Sequence, residues 1–399
     1  MMFFSLFLIS AYFSQCFASE AVEIFANGIV KYSGNIYKEL VIDNNTKGKN
    51  FITSPLGVQV ILALVGEGCK GVTAQQLITG LQLPNTNVRR EVINHYRTLN
   101  PFIKGTFELN LAIKLYISRY FKVLPSFLDL ARNIYKSDIE NIDFSNHVLA
   151  ANNINKWVAL ETNNTIQGLV DANELSALTK FVTVSALYFR GDWTRSFSPQ
   201  RTDNQNFFPR YCNNNKIAKI VKTMNAINTY LFLDSSALEA KFLEIPYKNS
   251  NCSMTFILPH EQDGLCSIEK DIQKYLQKQK LTTELVDVSI PKFNITSSIN
   301  YIPLLRKLGI TQVFEETADM TGISTQRDLF IQFVTQKAFI GVNEQGTLAT
   351  AASAAVGVIR SLPLPPPDTD LTFKADHPFF YYIRDNESGV ILFIGRYVQ

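Results

Sequence analysis

Apolar positions in the first part of the chain recur at the three-to-four spacing of amphipathic helices, and later they gather into short unbroken runs. The helical spacing covers Val22 to Leu40, Pro55 to Gly66 and Thr73 to Leu81. Ser54 stands at the cap position of the second of these, and Pro84 follows the end of the third. Amphipathic patterning continues through Asn87 to Leu99, Leu124 to Ile134 and Ala150 to Thr162. From there the runs are β-branched and aromatic and are bounded by Gly, Pro, Asn and Asp: Val182 to Phe189, Tyr230 to Leu233, Met254 to Leu258, Asp287 to Ile290, Phe330 to Asn343 and Val390 to Tyr397. No internal repeat, linker or composition break interrupts the chain. Helices early and strands late therefore predict a single α+β domain with large sheets.

One stretch fits neither pattern. Residues 344–367 read EQGTLATAASAAVGVIRSLPLPPP, with small residues first, one basic side chain at Arg360, and prolines last. Taken alone, such a composition describes a flexible linker.

Length and composition then narrow the class. A chain of 399 residues that is 46% apolar can bury a sizeable core. The 38 basic residues against 35 acidic ones form no run that would hold nucleic acid or a membrane surface. The N-terminal MMFFSLFLISAYFSQCFASE carries no charge before Glu20 and ends its apolar run with the small residues Cys16 and Ala18. We read residues 1–18 as a signal peptide, lacking the usual positive start, and residues 19–399 as the mature domain. Its apolar run is shorter than the roughly 20 residues of a membrane span.

Export makes further features meaningful. Cys69, Cys212, Cys252 and Cys266 remain after cleavage, too few and too scattered for a disulfide scaffold, with room for one bridge and with no zinc spacing. The N-x-S/T triplets at Asn44, Asn163, Asn251, Asn294 and Asn386 become glycan candidates, Asn294 the weakest because it falls in a strand-like run. Catalytic signatures are missing: there is no G-x-S-x-G elbow, H-E-x-x-H, phosphate-binding loop or dinucleotide fingerprint. Of the four histidines, His95, His147 and His260 have no nucleophile motif beside them, and His377 in DHPFF reads as a buried structural residue. No cofactor or metal is expected, and hydrolase chemistry is the distant reading.

A series of short motifs, in order, carries a resemblance. They are NFITSPLGV from Asn50, GEGCKGVTAQQL from Gly66, NKWVALETNNTI from Asn155, VSALYFRGDW from Val184, KTMN from Lys222, LEIPY from Leu243, VSIPKFNI from Val288, LGITQVF from Leu308, KAFIGVNEQGT from Lys337, ADHPFFYYI from Ala375 and LFIGRY from Leu392. Across nearly all of the mature sequence the chain resembles the serpins. The resemblance implies three β-sheets with about nine helices and an exposed reactive loop near the C-terminus. It also implies inhibition as a suicide substrate: a protease cleaves the loop to an acyl-enzyme, and the cut loop enters the largest sheet as a new strand. A monomer with a protease partner is expected, as is a part in regulating a proteolytic cascade; a non-inhibitory carrier or chaperone is the alternative.

The unusual stretch suits that role. A segment that becomes a central strand alternates its faces with period two, and Thr347, Ala349, Ala351, Ser353, Ala355 and Gly357 are all small. Ala352 extends the same small-residue hinge from Glu344 and Gly346, and no proline or charge lies between Gly346 and Ile359. Leu348 departs from the glutamate common in inhibitors. The family spacing from the hinge glutamate, seventeen residues inclusive, falls on Arg360, so the reactive bond is read as Arg360–Ser361. A guanidinium there fits a trypsin-like pocket with an aspartate at its base, and Pro363 and Pro365 to Pro367 form a stiff exit.

The resemblance also assigns Lys292 and Glu344 to the pair closing the top of the main sheet, near Trp193. In the polar cluster where the sheet opens the chain keeps Ser54 but has Gly57, Ser185 and Gln336 in place of serine, asparagine and histidine, which we read as a rearranged hydrogen-bond set. Arg89, Arg90, Arg97 and Lys104 lie where some relatives bind sulfated polysaccharide; with no continuous basic stripe, a solvated helix face is the favoured reading.

Overall fold

The structure, a computed structural model, describes residues 2–84, 107–212, 214–215, 217–347 and 369–398, with side chains from Val22 onward except at 110–111 and 214–215. The expected helix Asn87 to Leu99 and the basic residues Arg89, Arg90, Arg97 and Lys104 lie outside the described residues. So do Leu348, Ala349, Ala351, Ala352, Ser353, Arg360 and Ser361.

The N-terminal helix runs Met2–Ile42, passing through the boundary read as a cleavage point. From Phe25 to Leu40 it buries Phe25, Ile29, Tyr32, Ile36, Tyr37 and Leu40 along one stripe, the spacing that predicted it. Pro55–Glu67 follows with Pro55 in its first turn, and the Ser54 hydroxyl accepts the Gly57 amide at 3.3 Å. Gly71–Gly80 and His147–Glu161 form as expected, the latter capped by the Asn146 carboxamide, which accepts the Leu149 amide at 3.1 Å. The expected helix at Leu124 to Ile134 breaks in two: Pro125–Leu130 is α-helical, and Ala131–Tyr135 widens into a π-turn that ends at left-handed Lys136.

Among the described residues there are three sheets, of nine, six and two strands. The six-stranded sheet runs in the order Phe293–Asn300, Phe333–Val342, Gly346–Thr347, Phe181–Asp192, Phe107–Ser118 and Asp138–Ile142. The nine-stranded sheet includes Phe51–Thr53, Lys219–Ser235, Ala240–Pro246, Cys252–Pro259, Thr282–Pro291, Phe379–Asp385 and Ile391–Tyr397. At one end, Thr372–Lys374 pairs with Thr282–Pro291 as the chain returns from the 348–368 segment.

Helices early and strands late is thus only partly the arrangement found, because Phe107–Ser118 and Asp138–Ile142 are strands in the first half. In FELNLAIKLYIS, Leu109, Ile113, Leu115 and Ile117 face the main core while Ala112 and Tyr116 face the helix His147–Glu161. Both faces are buried, so no alternation marks the run as a strand.

That helix lies across the outer face of the six-stranded sheet. Ala150, Ala151, Ile154 and Val158 pack against Ala112, Tyr116, Val182, Val184 and Ala186, and burying Ile154 and Val158 contributes about 1.5–3 kcal/mol each. The inner face of the sheet meets the main core with Leu187, Phe189, Val334, Ala338, Ile340 and Val342.

Candidate functional site

The sequence-predicted hinge lies at a fork between two parallel strands. Phe181–Asp192 and Phe333–Val342 pair from Phe333↔Val182 to Ala338↔Leu187 and then part. Gly346–Thr347 occupies the gap above, antiparallel to both: Thr347 is opposite Val342 on one side and Gly191 on the other, and Gly346 is opposite Asp192.

The reversal that brings the chain back into the gap is closed locally. The Asn343 amide donates to the Gly346 carbonyl at 2.9 Å, and the Asn343 side-chain oxygen accepts the amides of Gln345 and Gly346 at 3.0 and 3.2 Å. Trp193 holds the turn from outside: its amide donates to the Gln345 carbonyl at 2.7 Å and its indole N–H to the Asn343 carbonyl at 3.0 Å. Gly346 is needed for its smallness, since a Cβ there would stand 2.0 Å from the Gly191 carbonyl oxygen.

Thr347 is fully buried, and its hydroxyl shares a 2.7 Å hydrogen bond with the Tyr247 hydroxyl. The Tyr247 ring stacks on Trp193 with centroids 4.8 Å apart, and a Cβ on Gly191 would meet that ring at 2.6 Å. A stacked pair under a glycine floor thus fixes the first inserted side chain.

Glu344 points out of the fork. Lys292 Nζ lies 2.9 Å from its Oε1 and 2.8 Å from its Oε2, and the Thr202 hydroxyl donates to Oε1 at 2.8 Å. Burial pushes the carboxyl up, but the Lys292 and Thr202 hydrogen bonds, a backbone hydrogen bond and the lysine charge outweigh it, so Glu344 sits below the ordinary carboxylate range.

Further down, where the two strands are still zipped, Gln336 is opposite Ser185. Its buried carboxamide accepts from the Thr53 hydroxyl at 2.7 Å and the Ser54 amide at 2.9 Å, and donates to the Ser54 carbonyl at 2.8 Å. Its contact with the Ser185 hydroxyl is long, 3.5 Å. Tyr301 completes the set through Thr53. A Cβ on Gly57 would lie 2.8 Å from the Ser185 hydroxyl, so glycine leaves room for that side chain.

Ser54, Ser185, Trp193, Lys292, Gln336, Glu344, Gly346 and Thr347 therefore line one seam of one sheet. Sequence reading missed Thr202, Tyr247, Thr53 and Tyr301. Tyr247 ends the LEIPY motif and was legible as a marker, but nothing in the chain links it to Thr347, a hundred residues away.

The other candidates are dispersed. Asn44, Asn163 and Asn251 are exposed, with Asn163 donating to Glu108 at 3.2 Å and Asn251 to Glu387 at 2.6 Å. Asn294 is in a strand, as its sequence suggested, with its side chain on the exposed face. Asn386 is half-buried, its amide donating to Glu244 and to Ser253, each at 3.0 Å. Cys212 and Cys266 are joined as a disulfide, and Cys69 and Cys252 are buried free thiols. His377 is buried between Asp376 at 2.7 Å and the Pro259 carbonyl at 2.9 Å, and His260 faces Asp234 at 2.7 Å; neither touches a nucleophile. No helix among the described residues is long and apolar enough to cross a membrane.

Comparison with known proteins agrees along nearly the whole chain. The family described as Serpin (serine protease inhibitor) matches residues 27–399. "Antichymotrypsin-2" of Bombyx mori is 33% identical over 377 residues, covering 93% of this chain and 97% of the relative. "Antitrypsin" of Bombyx mori is 32% identical, covering 94% of each chain. The solved structure of Serpin48, "a highly specific serpin in the insect Tenebrio molitor", superposes with a TM-score of 0.83 at 33% identity, over 94% of this chain and 98% of that one. Serpins are mostly protease inhibitors that form complexes with serine proteases, and they are not catalytic enzymes. With family, relatives and fold in accord, this chain belongs to the serpin family.

Proposed function

We propose that this serpin is a secreted suicide-substrate inhibitor of trypsin-like serine proteases, with Arg360–Ser361 as the reactive bond. The observation that carries the proposal is the hinge seated in the fork between two parallel strands. A strand entering there continues a ladder that has already begun.

The register of the hinge extends by counting. Thr347 stands opposite Val342 and Gly191, so a continued antiparallel strand brings Ala349 between Ile340 and Phe189, and Ala351 between Ala338 and Leu187. Ser353 then arrives between Gln336 and Ser185, the zipped pair with the long polar contact. These partners face the main core, which explains why the odd-numbered loop residues are small. The even-numbered residues, beginning with Leu348, would face the side covered by the helix His147–Glu161. That helix must shift for the strand to pass.

In the reaction the protease serine attacks the Arg360 carbonyl, the bond to Ser361 breaks, and the Ser361 amine leaves with the C-terminal segment. The acylated segment then enters the fork. Separating the six paired positions from Phe333–Val182 to Ala338–Leu187 is followed by pairing on both sides of the new strand. With about 14 residues rising about 3.3 Å each, the captive enzyme travels roughly 45 Å. At about 1 kcal/mol for each net backbone hydrogen bond gained, the gain is on the order of 10 kcal/mol, enough to deform the attached protease before water deacylates it.

Export is supported by the apolar leader and by the Cys212–Cys266 disulfide, a bond that persists in oxidising compartments. Among the glycan candidates Asn44, Asn163 and Asn251 are exposed outside the strands, Asn294 is exposed within one, and Asn386 is half-buried. The test is to cleave the loop at Arg360 and follow thermal unfolding. Strand insertion raises the midpoint sharply; an unchanged midpoint would favour a non-inhibitory carrier or chaperone.

A further inference from the structure

The seam is fastened at a third level, below its lowest strand pair, by contacts that belong neither to the hinge nor to the cluster at Gln336. Strands Phe333–Val342 and Phe181–Asp192 are paired down to Phe333↔Val182. Below that pair the Gln332 amide donates to the Phe181 carbonyl at 3.0 Å. The Gln332 side chain then crosses the seam: its oxygen accepts the Lys180 amide, and its Nε2 donates to the Leu178 carbonyl at 3.1 Å. A neighbouring strand would ordinarily satisfy such a backbone donor and acceptor, so one carboxamide takes the place of a strand's backbone.

Lys180 crosses in the other direction. Its ammonium donates to the Asp328 carbonyl at 3.0 Å and to Asp328 Oδ2 at 2.9 Å, and it lies 4.9 Å from the centroid of the Phe330 ring. The Asp328 side chain is 61% exposed, so water screens the ionic attraction and the half-buried Gln332 carboxamide is the firmer fastening.

The register shows what these contacts close. Thr347 stands opposite Val342 and Gly191, so ten positions further on Gly357 arrives between Gln332 and Phe181, and Arg360 three positions beyond it. A new strand adds one strand spacing, about 4.8 Å, between the two sides, more than a hydrogen bond can stretch. Insertion that stops above these contacts leaves residues 357–360 outside the sheet, about 13 Å of travel at about 3.3 Å each.

We propose that Gln332, with Lys180 and Asp328, locks the far end of the seam, and that release of this lock limits the last four residues of insertion. The inference rests on the trapping mechanism proposed above. Gln332, Lys180 and Asp328 are positioning residues: they act by setting when the cut strand completes its course. While the lock is closed, the acylated Arg360 is held short of its final place and water has time to deacylate the protease.

The test compares the full-length wild type with Gln332→Ala and Asp328→Asn. Asparagine tolerates the left-handed backbone of position 328, φ +68°, while removing the charge. Thermal midpoints are measured before and after the loop is cut by a metalloprotease, which attacks with water and forms no acyl-enzyme. The limiting first-order rate of adduct formation is measured at saturating trypsin. In Gln332→Ala the uncleaved midpoint should fall while the cleaved midpoint keeps its wild-type value, because the lock is already open there. Its limiting rate should rise by about fivefold, the effect of one net hydrogen bond. Asp328→Asn should shift both quantities in the same directions by less, and it decides the matter if Gln332→Ala does not fold. A merely structural role lowers the cleaved and uncleaved midpoints alike. That result, or an unchanged limiting rate, would overturn the lock while a wild-type adduct leaves the trapping mechanism standing. A wild type that forms no adduct and gains no midpoint on cleavage would overturn the mechanism and the lock with it.

Discussion

Thr347→Arg places the largest available perturbation on the first residue to enter the sheet. Thr347 is fully buried between Val342 and Gly191, with its hydroxyl on that of Tyr247 at 2.7 Å. The arginine removes that bond and strands a buried tyrosine hydroxyl, a cost of about 1–3 kcal/mol. It must also bury a cation on an inner face where no acid among the described residues is placed to receive it, which costs several kcal/mol more. The hinge's own carboxylate, Glu344, is already occupied by Lys292 and Thr202. If about 4 kcal/mol of this total falls on the step that starts insertion, the step slows by about a thousandfold. Deacylation then wins, and the variant becomes a substrate. The assay is incubation with trypsin, followed by denaturing electrophoresis and titration of the remaining protease activity. Cleaved chain with active protease is expected, whereas Thr347→Val, which loses only the hydroxyl, should still trap the enzyme with some added turnover. Covalent complex from Thr347→Arg in wild-type yield would refute the reasoning.

Three further outcomes follow from the same geometry. Arg360→Ala should abolish complex formation with trypsin-like enzymes, measured by electrophoresis, while leaving the thermal midpoint of the uncleaved protein unchanged. Because the Glu344 carboxyl is held below its ordinary range, its pairing stabilises the fold above the unfolded carboxylate pKa of about 4.3 and the benefit is lost as pH falls through the lower folded value. Thermal midpoints should therefore drop more steeply below that pH in the wild type than in Glu344→Gln. Reducing the Cys212–Cys266 bridge, which closes a loop with a sequence separation of 54, should destabilise the protein by about 4 kcal/mol on the chain-entropy model, seen as a lower denaturation midpoint with reductant; no change would mean that the bridge adds nothing.

How much was legible in the chain differs by element. The helices with one buried stripe, such as the segment Phe25 to Leu40, and the capped helix at Pro55 were readable because periodicity and cap chemistry are local. Strands buried on both faces, such as Phe107–Ser118, carry no alternation, and helices as short as Leu265–Lys270 and Ile302–Lys307 span too few turns to display a period. The helix at Leu124 to Ile134 was read as continuous because its apolar spacing persists through a π-turn that only tertiary packing reveals.

The seam was readable in part through family resemblance. Lys292 and Glu344 were paired in advance, yet Thr202, the third member, sits in a polar edge strand with no distinguishing pattern. Gln336 was singled out as a departure from the usual histidine. Its bonds to Thr53 and Ser54 required the sheet to exist, since those partners lie about 280 residues away. The bridge was left open between four cysteines, and only the packing of the Arg210–Tyr211 hairpin strand near the helix Leu265–Lys270 selects Cys212 and Cys266.

Mass analysis of the product formed with trypsin tests the central claim most directly. The account predicts a detergent-stable adduct in which the protease serine is acylated by the carbonyl of Arg360, together with a released peptide beginning at Ser361. Complete conversion to cleaved chain without any adduct, beside fully active protease, would contradict it.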